Sequence, residues 1–141
     1  MLNNLASYFE PEHEFYLNSI SYERKPSRHV LKESTLNCTE SIGSTLTDDG
    51  LTIILKRTLA FDPDSIFELS VSFGANLKFV KEKTGEVDWH AINIAEEFRN
   101  NGDFILSNLA SRLSLLIAEI TASFGQSPVV LPPMLFSKSN Q

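Results

Sequence analysis

The stretch DFILSNLASRLSLLIAEITASFG, residues 103–125, decides the fold, because it predicts one long helix with two unlike faces. At about 100° per residue, one face is an unbroken apolar stripe. The stripe consists of Leu106, Leu109, Ala110, Leu113, Ile117, Ile120 and Phe124. Because a stripe of this width has to be buried against another layer, we expect a β-sheet beneath it.

The opposite face of this helix lacks the charged residues that a solvated helix usually carries. Small side chains recur there every three or four residues, which would let another backbone approach closely. This face is formed by Ser107, Ser111, Leu115, Ala118 and Ala122. The alternative is a helix buried inside one large monomer, but the chain is too short for a second internal layer. We therefore predict that the small-residue face is an interface between subunits.

The ends of this helix carry the usual boundary signals. Asp103 follows the breaker Gly102 and is a plausible N-cap. Gly125 and then Pro128 would end the helix in the usual order.

Length and composition favour one domain. The chain has 141 residues, of which 42% are hydrophobic, enough for one core and too few for two. We expect a single domain over residues 1–136 and a flexible tail over residues 137–141. The net charge of -6 disfavours a phosphate-neutralising surface, so no nucleic-acid partner is expected.

The cysteine content and the N-terminal sequence indicate which cellular compartment and which cofactors to expect. The single Cys38 cannot form an internal disulfide, and no Cys and His spacing resembles a metal site. No basic segment followed by an apolar core begins the chain, and no run approaches membrane-spanning length. We expect a cytoplasmic protein with no membrane insertion, no metal and no cofactor.

Four segments alternate with the period of two that is typical of β-strands: residues 15–22, 36–46, 51–61 and 66–79. In the first, Tyr16, Ile20 and Tyr22 are expected on one face and Phe15 and Leu17 on the other. Short turn signals, DDG at 48–50 and DPDS at 62–65, separate the last three. The pattern predicts a four-stranded antiparallel meander whose apolar face receives the long helix.

The rest of the chain gives weaker signals. Residues 1–13 read as a frayed helix or an arm, and residues 92–100 as a short helix. The run SPVVLPPMLF, residues 127–136, cannot be helical through its two prolines and should lie extended across the body. The expected fold class is α+β, with a four-stranded antiparallel sheet, a long C-terminal helix and a short helix.

No motif in the sequence indicates catalysis. A nucleophile elbow, a phosphate-binding glycine loop and paired metal ligands are all missing from the sequence. The nearest candidate for an acid–base pair is Asp88 beside His90, which more often means a surface turn. Apolar residues are in excess, including Val30 and Leu31 on a polar loop. They could line an extended groove that binds peptides, or they could be core and subunit interface.

The order of these elements, four strands, a long helix and then G-x-x-P with an apolar tail, resembles the bacterial export chaperone family SecB. The resemblance covers residues 15–136. RKPSRHVLK, residues 24–32, is similar to the crossover segment of the family, and SIFELSV, residues 65–71, to its fourth strand. NLASR, residues 108–112, and GQSPVVLPPMLF, residues 125–136, are similar to its main helix and tail.

The resemblance implies a homotetramer built as a dimer of dimers, with the long helices packed between two sheets. It implies a holdase, an ATP-independent chaperone that keeps unfolded or pre-export polypeptides in an apolar groove. The residues carried over for the groove, or for the assembly beneath it, are Val30, Leu31, Phe67, Leu69, Phe73, Leu109 and Leu113. The family also contacts the translocase ATPase, although its crossover tryptophan has no counterpart at residues 35–36.

Three alternatives remain open at this stage. The chaperone could serve one dedicated client, such as an antitoxin. The chain could be a thioesterase of the hotdog kind, although in that fold the helix precedes most of the strands and only Asp103 supplies a carboxylate near the helix start. It could also be a structural interaction protein that ignores unfolded chains.

Overall fold

The computed structural model describes residues 2–26, 34–125 and 127–136 of the chain. The strands are β1 (Glu14–Lys25), β2 (Thr35–Leu46), β3 (Gly50–Asp62) and β4 (Ile66–Lys78). The helices are α1 (Ile94–Asn101) and α2 (Asp103–Ala122), and short 3₁₀ turns span Leu5–Tyr8 and Lys81–Lys83. The α+β class, the four strands and both helices are therefore confirmed.

The strand order in the sheet is β1-β4-β3-β2, and all three pairings are antiparallel. The prediction of a simple meander is correct for β2, β3 and β4 and wrong for β1, which pairs with β4. Nine residues, 26–34, separate β1 from β2, more than a tight hairpin uses. The first strand is therefore free to cross to the far edge, which produces a Greek-key order.

A register shift in β1 just after Leu17 changes which side chains face the helix. Leu17 lies opposite Phe73 and Ile20 lies opposite Val71, so both project towards the α2 side of the sheet. Tyr22 continues on that face. Phe15 also lies on this face and Tyr16 on the other. The expected grouping, with Tyr16 beside Ile20 and Tyr22 and with Phe15 and Leu17 opposite them, is therefore wrong, because a bulge inserts one residue and resets the alternation.

The core lies between the sheet and the helices. Five of the seven residues predicted for the apolar stripe of α2 are completely buried, and the last two are half-buried. Opposite them, Leu51, Ile53, Leu55 and Leu59 of β3 are buried on the same face of the sheet. The predicted packing of α2 on the sheet is confirmed.

The ends of the helices differ slightly from expectation. Gly102 is the N-cap residue of α2 and Asp103 is the first helical residue, so the predicted cap is displaced by one position. Gly125 adopts φ 84°, the left-handed conformation that glycine tolerates best, in the turn after the helix. In α1 the side chain of Asn93 caps the helix by accepting from the amide of Glu96 at 3.1 Å.

The N-terminal segment belongs to the core. Leu5 and Phe9 are buried, and the ring of Phe9 stacks on that of Phe79 with 5.6 Å between centroids. Phe9 and Phe79 also form an isolated antiparallel bridge. These contacts fix the start of the chain against the end of β4.

By length and composition, α2 could cross a membrane, and it is the one such helix among the described residues. The expectation that no segment reaches that length is therefore wrong for α2. A core helix of a soluble protein passes the same test, and the buried stripe of α2 packs on the sheet.

Candidate polypeptide-binding surface

Four aromatic rings, from three strands and the turn after α2, meet at one end of the sheet. The centroid of Phe67 lies 5.1 Å from that of Phe61 and 5.1 Å from that of Phe124. The ring of Tyr22 lies 5.0 Å from that of Phe124. These separations are typical of aromatic contacts, so the four side chains form one cluster.

The cluster borders an open depression of ≈ 620 Å³. We call it the aromatic pocket. Its lining is Tyr22, Arg24, Lys25, Pro26, Ile66, Phe67 and Phe124. Phe67 is buried and forms the floor, whereas Tyr22 is 47% exposed and forms part of the wall. An apolar floor reached from solvent is the arrangement that binds an apolar side chain.

Acidic neighbours surround the lysine at the rim of the aromatic pocket. Lys25 Nζ lies 3.0 Å from Glu23 Oε1 and 3.5 Å from Asp64 Oδ2. The hydrogen bond that Lys25 donates to Glu23, with the negative charges of Asp64 and Glu23, holds the pKa of Lys25 above its usual value. The charge of Lys25 is thus offset within the rim, and the pocket combines an aromatic floor with a largely polar opening.

The free edge of the sheet beside this pocket is unusually apolar. Residues 15–22 of β1, FYLNSISY, carry no charge, and Leu17, Ile20 and Tyr22 are exposed. Edge strands of monomeric proteins normally carry charges or prolines that prevent pairing with another chain. The β1 edge lacks these features over eight residues, as counted in FYLNSISY.

The predicted groove residues are found at different depths. Phe67 is in the aromatic pocket, and Phe73 is half-buried opposite Leu17. The side chains of Leu69, Leu109 and Leu113 are completely buried, so in this conformation they support the surface from beneath. Val30 and Leu31 lie outside the described residues.

The small-residue face of α2 is uncovered in the single subunit. Leu115 is 64% exposed, and Ser107, Ser111 and Ala122 are exposed, whereas Ala118 is half-buried. No charged side chain belongs to this face. Its role as a subunit interface stays a prediction.

Sequence reasoning missed a buried ion pair on the helix side of the sheet. Arg57 of β3 lies directly opposite Glu40 of β2, and Arg57 Nε donates to Glu40 Oε2 at 2.9 Å. Both side chains are almost completely buried. The guanidinium also lies 4.3 Å from the ring centroid of Phe136. The available signal was Arg57 itself, a charge that interrupts an apolar alternation.

The candidate acid–base pair is a turn. Asp88 Oδ1 accepts a hydrogen bond from the backbone amide of His90 at 3.1 Å, which is an ordinary Asx-type contact. Among the described residues, no group of three His, Cys, Asp or Glu side chains could hold a metal ion.

No family model and no curated protein matches this sequence. Among solved structures, the chain is similar to a SecB-like chaperone of Mycobacterium tuberculosis in complex with a ChAD peptide from the HigA1 antitoxin. The TM-score is 0.64 at 13% identity, and the match covers 91% of this chain and 92% of that chain. A Streptococcus agalactiae protein of unknown function matches at a TM-score of 0.41 and 12% identity, over 88% of this chain and 98% of that one.

The first of these likenesses defines the class of the fold. The chain has the SecB-like fold, a four-stranded antiparallel sheet with a long C-terminal helix packed on it. The resemblance seen in the sequence is confirmed at this level.

Proposed function

We propose that this protein is a SecB-like chaperone that binds unfolded polypeptide without ATP. The observation that carries the proposal is the aromatic pocket, an open depression whose floor is an aromatic cluster, in a SecB-like fold. Burial of apolar client side chains would supply about 25 cal/mol per Å². Such contacts are non-directional, so one surface can accept many sequences.

The assembly that we propose is a dimer of dimers. A closed assembly of this kind needs two different self-complementary surfaces on each subunit. The β1 edge offers unpaired backbone groups beside exposed Leu17 and Ile20, and α2 offers the small-residue face. Together these two surfaces meet that requirement.

A dedicated client is a narrower form of the same proposal. The similar chaperone was solved with a peptide from an antitoxin, which makes a single-partner role the first variant to examine. We do not adopt the thioesterase alternative, because α2 follows all four strands of the sheet.

The experiment is a binding measurement with matched tyrosine variants. Full-length protein is titrated with reduced, carboxymethylated α-lactalbumin, which stays unfolded. We expect Tyr22→Ala to weaken binding by about tenfold, the loss of roughly 1.4 kcal/mol of aromatic contact. Tyr16→Ala is the control, because Tyr16 lies opposite Gly74 on the other face of the sheet. Equal affinities for all three proteins would contradict the assignment of the pocket.

A further inference from the structure

The last described segment, residues 127–136, lies outside the named helices and strands and runs from α2 to the edge strand β2, with a bend at residues 133–134. We call it the C-terminal strap. It contacts Thr121 and Ser114 of α2, Arg57 of β3 and Glu40 of β2. All four of these side chains are buried or nearly so. They therefore line a cleft that the strap fills.

The cleft holds the strap through its main chain. Thr121 Oγ1 accepts from the amide of Val129 at 2.8 Å, and the hydroxyl of Ser114 donates to the carbonyl of Leu131. Further along, the Arg57 and Glu40 pair makes three such bonds: Arg57 Nη1 to Pro132 O at 2.9 Å, Arg57 Nη2 to Met134 O at 2.6 Å, and Phe136 N to Glu40 Oε1 at 3.1 Å.

The side chains of the strap contribute unevenly. Leu135 is only 2% exposed and fills an apolar well, whereas Val130 is 75% and Met134 is 44% exposed. Proline at 132 and 133 has no amide to donate. The strap therefore fits the cleft through features that almost any extended chain can supply.

We propose that this cleft is a second polypeptide-binding site, filled by the strap in the free protein and by an extended client segment when the strap is displaced. This inference rests on the proposed function and extends it to a named site. Recognition through main-chain bonds with apolar wells is a common way to bind extended peptides.

The buried charges of Arg57 and Glu40 link departure of the strap to entry of a client segment. If the strap left an empty cleft, Arg57 would lose two carbonyl acceptors and Glu40 would lose an amide donor in a buried position. Entry of a client chain replaces those bonds as the strap leaves. The strap is thus an internal competitor that excludes short or weakly apolar segments.

Hydrogen exchange on the full-length protein tests the displacement. We compare the free protein with the protein saturated by reduced, carboxymethylated α-lactalbumin. The amides of Val129 and Phe136, which the cleft holds in the free protein, should exchange at least tenfold faster in the complex. Amides of the central strand β3 should keep their protection. Binding without faster exchange at the two strap amides would overturn this inference and leave the proposed function intact, whereas no binding would overturn both.

A pair of strap variants gives an independent readout. Leu135→Ala weakens the strap but leaves every anchor of the cleft in place, so the apparent Kd for the same client should fall at least fivefold. Met134→Ala removes a more exposed neighbouring side chain and should leave the Kd unchanged. If the strap is only a structural element, Leu135→Ala will leave client affinity unchanged or weaken it, and that result would overturn the proposal.

Discussion

At the scale of single residues, the buried pair of Arg57 and Glu40 is the feature with the largest energetic consequence. Each charge is removed from water, and each is matched by the other and by main-chain groups of residues 132–136. Such a pair contributes little relative to an apolar replacement of both residues, but loss of one member leaves an uncompensated buried charge.

Arg57→Met should therefore lower the free energy of unfolding by about 3–5 kcal/mol. Urea denaturation followed by circular dichroism measures the change. Lys56→Met is the matched control, since Lys56 is exposed on the opposite face of the same strand, and it should shift stability by less than about 0.5 kcal/mol. Equal stabilities for the two variants would show that the ion pair of Arg57 and Glu40 is not buried in solution.

Cys38, on the same face of β2 as Glu40, should react slowly with alkylating reagents. Burial raises its pKa to about 11, the nearby charge of Arg57 opposing and that of Glu40 assisting the shift. At neutral pH the thiol is protonated, so alkylation by iodoacetamide should be slow and should accelerate as the pH rises towards 11. Because the pKa of Cys38 in the folded state lies above its ordinary value of 9.0, this thiol favours the folded state below pH 9, and that contribution is lost as the pH rises through the folded pKa. Rapid alkylation at pH 7.5 would contradict the burial.

At the scale of elements, the sequence predicted what depends on local periodicity. The strands alternate and α2 repeats with a helical period, so both could be recognised from neighbouring residues. The position of β1 beside β4 and the bulge after Leu17 were not predictable, because they depend on pairing with residues about fifty positions away, as between Leu17 and Phe73.

The candidate site shows the same division. Phe67 was predicted from the resemblance to the SecB family, whereas Tyr22 and Phe124 join it only after three separate elements meet. Burial of Arg57 depends on a carbonyl 75 residues later in the chain. The sequence of β3 alone therefore could not predict this hydrogen-bond partner.

The small-residue face of α2 gives the first prediction about assembly. Ser111→Arg places a long charged side chain where we expect two helices to approach closely, so the mass in solution should fall from tetramer to dimer. Ser111 is exposed in the subunit, and the fold should survive. Glu119→Arg, an exposed change on the polar flank of the same helix, should keep the tetramer. Light scattering after size exclusion measures both, and a tetrameric Ser111→Arg variant would exclude this face as an interface.

The β1 edge gives the second prediction about assembly. Ile20→Lys adds a charge beside the unpaired edge, which is how natural edge strands avoid pairing, and it should likewise reduce the tetramer to dimers. Ser44→Lys makes the same change on the other edge strand, β2, where we expect no effect. If Ser44→Lys dissociates the tetramer and Ile20→Lys does not, the second interface lies on the β2 edge and this prediction is wrong.

At the scale of the whole molecule, the subunit presents more apolar surface than a monomer needs. The aromatic pocket, the β1 edge, the outer face of α2 and the strap lie on one SecB-like framework. We account for this surface by two interfaces between copies and by contacts with unfolded chains. A net charge of -6 would favour solubility of the proposed assembly without supplying specificity.

The most direct test of this account is the aggregation of an unfolded client, followed by light scattering. Citrate synthase is heated with and without the full-length protein and without ATP. We predict that scattering is largely suppressed at one tetramer per client chain. A scattering curve that matches the client alone, even at several tetramers per chain, would contradict the central claim that the apolar surfaces of this protein bind unfolded polypeptide.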